Sequence, residues 1–327
     1  ALLATQIEKN LLLPKKLNMK ILGIGNAIVD VICKVDDSFI DQNNLTKSTM
    51  KLFFDENEFQ NLMKNLKIEK TISGGSVANS IVGISQLGDV AGFIGKISDD
   101  EFGSNYEEGL KKENVEYFYS KKREELPTGT CLILITPDSE RTMCTFLGTA
   151  GKINENDVSS DAIKKSELIL LEGYLWDEGD PKKAFDKAIN SANKVAMSLS
   201  DQFCVDRHKP HFLSLVKEKL DITFANEQEI TSLIDAKDFK EVINFAKEVN
   251  KLIVVTRGEK GAIAIKGDEV VECEVMKNLK IVDLTGAGDL FAAGFLHGFI
   301  NKLSLKESLD KGTEMSSKII QQIGARL

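Results

Sequence analysis

The chain has 327 residues, of which 42% are hydrophobic and 28% charged, with only 5 prolines and 24 glycines. That balance fits an ordinary folded protein and excludes the disordered, collagenous and membrane-embedded classes. Its 42 basic and 50 acidic residues leave a formal charge of -8, with no basic block, so a nucleic-acid partner is not expected, because phosphate binding leaves a clustered basic footprint.

Residues 1–18 (ALLATQIEKNLLLPKKLN) lack the basic start, apolar stretch and cleavage pattern of a secretory signal and read as an N-terminal extension to a domain over 19–327. No apolar run reaches the ~20 residues needed to cross a bilayer, so no membrane partner is expected. The short apolar run at 21–27 (ILGIGNA) predicts a buried strand, and similar runs at 90–95, 168–171, 195–199, 222–225 and 252–256 predict five more. Apolar spacings of three and four predict helices over 77–87, 102–112, 181–192, 212–220 and 239–249. Strand and helix in alternation imply an α/β fold, with a mostly parallel sheet covered on both faces. Two stretches break the rhythm with strand character and no intervening helix: 29–54, and 115–146 with its runs EYFYS, TCLILIT and TMCTFL. They predict a small second sheet, a lid made from two separate pieces of chain.

The five cysteines are far apart and include no C-x-x-C pair. This spacing argues for a reducing, cytoplasmic setting, against a disulfide framework and against structural zinc. His208 and His211, two of only three histidines, read as a solvated loop pair rather than metal ligands.

The strongest chemical signal is DLTGAGDLFAAG at 283–294. Gly286, Ala287 and Gly288 let the backbone approach a ligand, and the apolar spacing after them is helical, so the turn aims free N–H groups and a positive dipole end outward as an anion hole. Asp289 beside it is poorly placed to bind phosphate, but well placed to take a proton from a hydroxyl that attacks one. The competing reading is an Asp that caps the helix. Neither G-x-x-x-x-G-K-[ST] nor a G-x-G-x-x-G after the first strand occurs, which removes the two common nucleotide-binding loops. In SGGSVANS at 73–80, Gly74 and Gly75 suit a hinge or a close approach, and Asn79 can hydrogen-bond hydroxyls. Asp30 in GNAIVD suits the clasping of a diol.

SGGSVANSIVGISQLGD and DLTGAGDLFAAGFLHG together resemble the two signatures of the ribokinase-like (PfkB) family of carbohydrate and nucleoside kinases. GKISDDEFG at 95–103, ANEQE at 225–229 and VTRGEKGA at 255–262 are similar to further family motifs in the family's order. The resemblance implies a three-layer α/β/α fold and ATP-dependent phosphorylation of an alcohol, with ATP and Mg²⁺ and, as a further candidate, a monovalent cation such as K⁺. It implies that Asp289 is the catalytic base, with Gly286, Ala287 and Gly288 as its anion hole, and that Arg141 reaches over the reacting phosphates. The alternative for Arg141 is an exposed pair with Asp138 or Glu140. Asn226 and Glu229 match the motif that organises Mg²⁺ through water, and Thr256, Gly258 and Gly261 the loop that holds ATP. Asn26, Asp30, Gly74, Gly75 and Asn79 match the acceptor site. Ser98 departs from the family's frequent Gly. GNAIVD, Asn79-Ser80 and LEGYLW at 171–176 are most similar to adenosine kinase-type members, which implies adenosine as the acceptor, with a fructokinase- or ribokinase-type sugar as the alternative. Phe146, Trp176 and Phe203 are the candidates for stacking on a base. The expected assembly is a monomer or a homodimer.

Overall fold

The computed structural model describes residues 19–176 and 180–327; the N-terminal extension lies outside the described residues. In chain order, β1 (Ile21–Ile24) leads into β2 (Ile28–Lys34), helix α1 (Asp37–Gln42), β3 (Met50–Phe53), α2 (Glu56–Met63), β4 (Ile68–Gly74) and α3 (Ser76–Gln86). Then come β5 (Ala91–Ile94), α4 (Glu101–Lys112), β6 (Glu116–Tyr117), β7 (Gly129–Ile135) and β8 (Arg141–Phe146). The middle of the chain holds α5 (Ser160–Lys165), β9 (Leu168–Glu172), α6 (Asp180–Ser191), β10 (Val195–Ser198) and α7 (Gln202–Glu218). After β11 (Ile222–Asn226) follow α8 (Glu227–Ile234), α9 (Phe239–Val249), β12 (Leu252–Thr256), β13 (Ala262–Lys266), β14 (Glu269–Cys273), α10 (Ala287–Ile300) and α11 (Leu305–Ile319).

Nine strands form the main sheet in the order β14-β13-β12-β11-β10-β9-β1-β5-β6. It is parallel except for β13 and β14, which close one edge as an antiparallel hairpin. Every residue of β1 and β9 is buried, because helices cover both faces, and this is why these strands read as unbroken apolar runs. Alternation along β1 sends Ile21 to the core shared with Val77, Ile81 and Phe295, and Leu22 and Ile24 to the core shared with Phe185, Phe212 and Ile230. Helices α3, α4, α10 and α11 thus lie on one face, and α5 to α9 on the other. The result is the three-layer arrangement expected.

The second sheet runs β3-β8-β7-β2-β4. It departs from expectation at both ends. Residues 68–74, read as part of no lid, supply its edge strand β4, and EYFYS supplies β6, which pairs with β5 at the edge of the main sheet. Alternation identifies a strand but not the sheet it joins. Helix α7 also starts ten residues before the predicted 212, running through Pro210 with a non-helical residue at His208. The proline's missing donor is absorbed as a kink rather than a stop. His208 therefore sits at the kink and His211 in the helix beyond it, where His211 Nδ1 accepts a hydrogen bond from the Trp176 indole at 3.0 Å, which corrects the loop reading.

Candidate active site

The main sheet changes winding direction at β1, whose neighbours are β9 and β5. The C-terminal ends of β1, β9, β11 and β12 open at that switch point, where α/β sheets bind ligands. Between these strand ends and the inner face of the second sheet lies a cavity of about 740 Å³.

Asp289 sits in the first turn of α10, which begins after Gly286 in the left-handed region (φ 78°). Gly286, Ala287 and Gly288 line the cavity at this helix start, where first-turn N–H groups have no intrahelical acceptor, and the Ala287 N–H donates to the Leu284 carbonyl at 3.2 Å. Asp289 does not cap its own helix. Ser76 Oγ donates to its Oδ1 at 2.6 Å and Asn79 Nδ2 donates to its Oδ2 at 3.0 Å, while Ser80 Oγ donates to its backbone carbonyl at 2.8 Å. These bonds fasten α10 to α3. Burial raises the carboxyl's pKa, against the opposing pull of Ser76, Asn79 and the Arg326 guanidinium.

Asp30 lies within β2 rather than at a strand end. Val29, Val31 and Cys33 alternate into the core, so Ile28 and Asp30 face the cavity, beside Cys131 and Ile133 of β7 and Met143 and Thr145 of β8. Burial raises its pKa to about 7; Arg326 opposes this, and the nearby Asp289 adds to it. A Cβ on Gly74 would overlap the Asp30 carboxylate, and one on Gly75 (φ 100°) would strike the Asn26 carbonyl oxygen. Gly75 is therefore demanded by its backbone, whereas at Gly74 the Asp30 carboxylate would have to shift.

Glu172, at the end of β9, went unrecognised in the sequence. Its Oε1 accepts from the Asn26 backbone N–H at 2.8 Å and its Oε2 from that of Val77 at 2.9 Å. One buried carboxylate thus ties the β1–β2 turn to the start of α3. Burial raises its pKa to about 7, although those two N–H groups pull it down. Asn26 is 5% exposed and its side-chain Oδ1 has no partner among the described residues.

Across the cavity, Asn226 and Glu229 close a capping box at α8: Asn226 N–H and Nδ2 donate to the Glu229 carboxylate at 2.9 and 2.8 Å, and Glu229 N–H donates to Asn226 Oδ1 at 2.8 Å. Glu229 faces the cavity with its pKa raised to about 7 by burial. Thr256 lines the same wall, whereas Gly258 and Gly261 shape the β12–β13 turn and do not line the cavity. Arg141 pairs with Asp283, not with Asp138 or Glu140, and stands off the cavity wall. Burial would push the Asp283 carboxyl up, but the Gly324 N–H, Thr285 and Arg141 hold it below its usual range. Ser98 N–H donates to Thr128 Oγ1 at 3.0 Å and its Oγ accepts from Glu124 N–H at 3.2 Å, so this segment braces the loop before β7.

Of the three aromatic candidates, Trp176 (1% exposed) stacks on Phe185 and Phe146 (5%) on Phe59, both in the core. Phe203 is 74% exposed and lines the cavity. Among the described residues no helix is long and apolar enough to cross a membrane.

An anion-binding turn beside a buried carboxylate, at the switch point of a three-layer α/β fold, defines a phosphotransferase-type site. The chain belongs to the pfkB family of carbohydrate kinases, whose model matches residues 26–327. It is similar to the adenosine kinase of Sinorhizobium meliloti (36% identity, 95% of this chain and 96% of that one, TM-score 0.86). A probable sugar kinase of Rhizobium etli is similar to the same degree (36%, 94% and 95%, TM-score 0.85). Adenosine kinase 2 of Arabidopsis thaliana is 25% identical over 93% of this chain and 94% of its own length.

Proposed function

We propose that this kinase transfers the terminal phosphoryl group of ATP to the primary hydroxyl of a nucleoside, converting adenosine to AMP. The observation that carries the reading is the make-up of one cavity. Its polar end holds Asn26, Asp30 and Asn79, while Ile28, Met50, Leu52, Ile133 and Met143 of the second sheet form an apolar wall, and Phe203 of α7 also lines the cavity. A nucleoside presents a polyol and a flat apolar base to those two surfaces, whereas a free sugar would leave the wall uncovered.

In this reading Asp30 accepts from the ribose hydroxyls, and the unpartnered Asn26 Oδ1 takes another. Asp289 Oδ receives the proton of the attacking hydroxyl, held in orientation by Ser76 and Asn79. The N–H groups of Gly286 and Gly288 hold the charge that gathers on the transferring phosphoryl group, the Ala287 N–H being turned to the Leu284 carbonyl. The second sheet, acting as a lid, excludes the water that would intercept that group.

Mg²⁺ fits the opposite wall. Among the described residues no cation pairs with the buried Glu229 carboxylate, and no three acidic, His or Cys side chains cluster as a metal cage. That donor set suits an ion held through water and phosphate oxygens, near Asn226 and Glu229. The ion would neutralise phosphate charge.

The test is a coupled ATP-consumption assay across adenosine, other nucleosides, fructose and ribose. Adenosine should give the highest kcat/KM. A clear preference for fructose or ribose would replace the nucleoside reading with the sugar one.

A further inference from the structure

The segment after α11 is anchored into the site. Val282 N–H donates to the Ile320 carbonyl at 2.8 Å, and Gly324 N–H donates to Asp283 Oδ2 at 2.9 Å. Gln322 Nε2 donates to the Arg326 carbonyl at 2.7 Å, and Gln86 Nε2 to that of Leu327 at 3.2 Å. This path brings Arg326 behind the acceptor end of the cavity. There its Nε donates to Asn79 Oδ1 at 3.0 Å, and its Nη2 is buried without a partner among the described residues.

We propose that Arg326 is a positioning residue for the reaction: it fixes the Asn79 amide toward Asp289 and supplies the positive charge that lets Asp30 and Asp289 work side by side. The amide has two orientations. With Arg326 on Oδ1, Nδ2 must face Asp289 Oδ2, as observed. The flipped amide would set its carbonyl oxygen against the carboxylate and its N–H₂ against the guanidinium, losing both bonds. A relay therefore runs from guanidinium to amide to base.

The charged and titratable groups facing Arg326 are Asp30 from β2, Asp289 from α10, Tyr106 from α4 and Glu113 just after it. Glu172 on β9 is tied to the same groups: Asp289 raises its pKa, and it raises that of Tyr106. Arg326 lowers the pKa of both Asp30 and Asp289, against burial. Without it, both buried carboxylates would lose the cation that favours their charged forms, and their pKa values would rise.

This inference rests on Asp289 as base and Asp30 as acceptor clasp, so its test needs a readout independent of turnover. Carbon-13 titration of the aspartate carboxyls should show the Asp30 and Asp289 midpoints rising by about one unit or more in R326Q, the scale of a lost neighbouring cation. In kinetics with the acceptor that the wild type prefers, R326Q should raise the acceptor KM about tenfold or more, leave the ATP KM within about twofold, and move the acid limb of kcat/KM upward, a pattern set by an acceptor-side cation. R326K keeps the charge but not the planar fork. It should return the acid limb toward wild type while the acceptor KM stays raised, and it carries the test if R326Q does not fold. Unmoved carboxyl midpoints in R326Q, an R326K acceptor KM equal to wild type, or an ATP KM that rises as far as the acceptor's would overturn the proposal. A wild type that phosphorylates no nucleoside would sink the proposed acceptor, yet leave the titration readable.

Discussion

Asp289→Asn isolates the role of one proton acceptor. The amide is isosteric with the carboxylate, and the pocket can adapt to it: if the new N–H₂ turns toward Ser76, the hydroxyl rotates to accept, and the remaining oxygen still receives Asn79 Nδ2. The Ser80 bond to the backbone carbonyl is untouched. Folding should therefore change by only ~1 kcal/mol, the scale of one rearranged hydrogen bond, and partly in the variant's favour because a buried charge is gone. Turnover is a different matter. An amide cannot take the hydroxyl proton, and loss of a general base costs roughly 10²- to 10⁴-fold, equivalent to about 2.7 to 5.4 kcal/mol on the barrier. The measurement is kcat by ATP consumption, with acceptor and ATP affinities from calorimetry on the same preparation. Near-wild-type kcat with intact binding would refute Asp289 as the base. A Tm drop of ten degrees or more, far beyond one hydrogen bond, would refute the local picture of Ser76 and Asn79.

Asp30→Ala should weaken acceptor binding by ~1 to 3 kcal/mol and leave ATP binding unchanged in calorimetry; equal losses on both would remove Asp30 from the acceptor end. Gly75→Ala forces a side chain to φ 100° and into the Asn26 carbonyl, so thermal unfolding should show ~1 to 3 kcal/mol of destabilisation. Gly74→Ala meets only the end of the Asp30 side chain, so it should raise the acceptor KM with little change in Tm; a pure hinge role would instead give the two variants similar kinetics and unaltered stability. Glu172 and Glu229 have folded-state values of about 7 against 4.5. The folded chain thus holds more protons than the unfolded one between those values, and these groups make stability fall as pH rises from about 4.5 to 7. Tm should be higher at pH 5.5 than at pH 8, and Glu172→Gln should flatten the slope; a Tm that climbs across the same range would contradict these burial effects.

The parts of the fold that were legible are those in which one cause dominates. β9 and β12 are buried on both faces, so their sequences are apolar without interruption, and α10 announces itself through a glycine turn followed by helical spacing. What escaped depends on partners far along the chain. Nothing local separates β6 from the second sheet, because the choice is made by pairing with β5. The hairpin β13–β14 has the short apolar alternation of any strand pair and no signal of which edge it would extend. Within the site, Asp289, Asp30 and Asn79 could be read because their motifs are compact. Glu172 could not, since its role exists only when turns 146 and 95 residues away deliver their N–H groups to it. Arg326 lies 247 residues from the amide it holds, in a stretch with no motif around it. Phe203 was singled out with two core aromatics because exposure, the property that separates them, is not written in residue type.

The cavity is walled by two separate pieces of architecture. The glycine turn and Asp289 lie at the start of α10, beside the strand ends of the main sheet. The wall opposite belongs to β2, β3, β7 and β8, where alternate side chains look inward and their neighbours fill a different core. Substitutions at Ile28, Met50, Leu52, Ile133 or Met143 can therefore reshape the chamber one residue at a time while the transfer machinery stays as it is. A scaffold of this kind separates what shapes the chamber from what its main sheet holds in place.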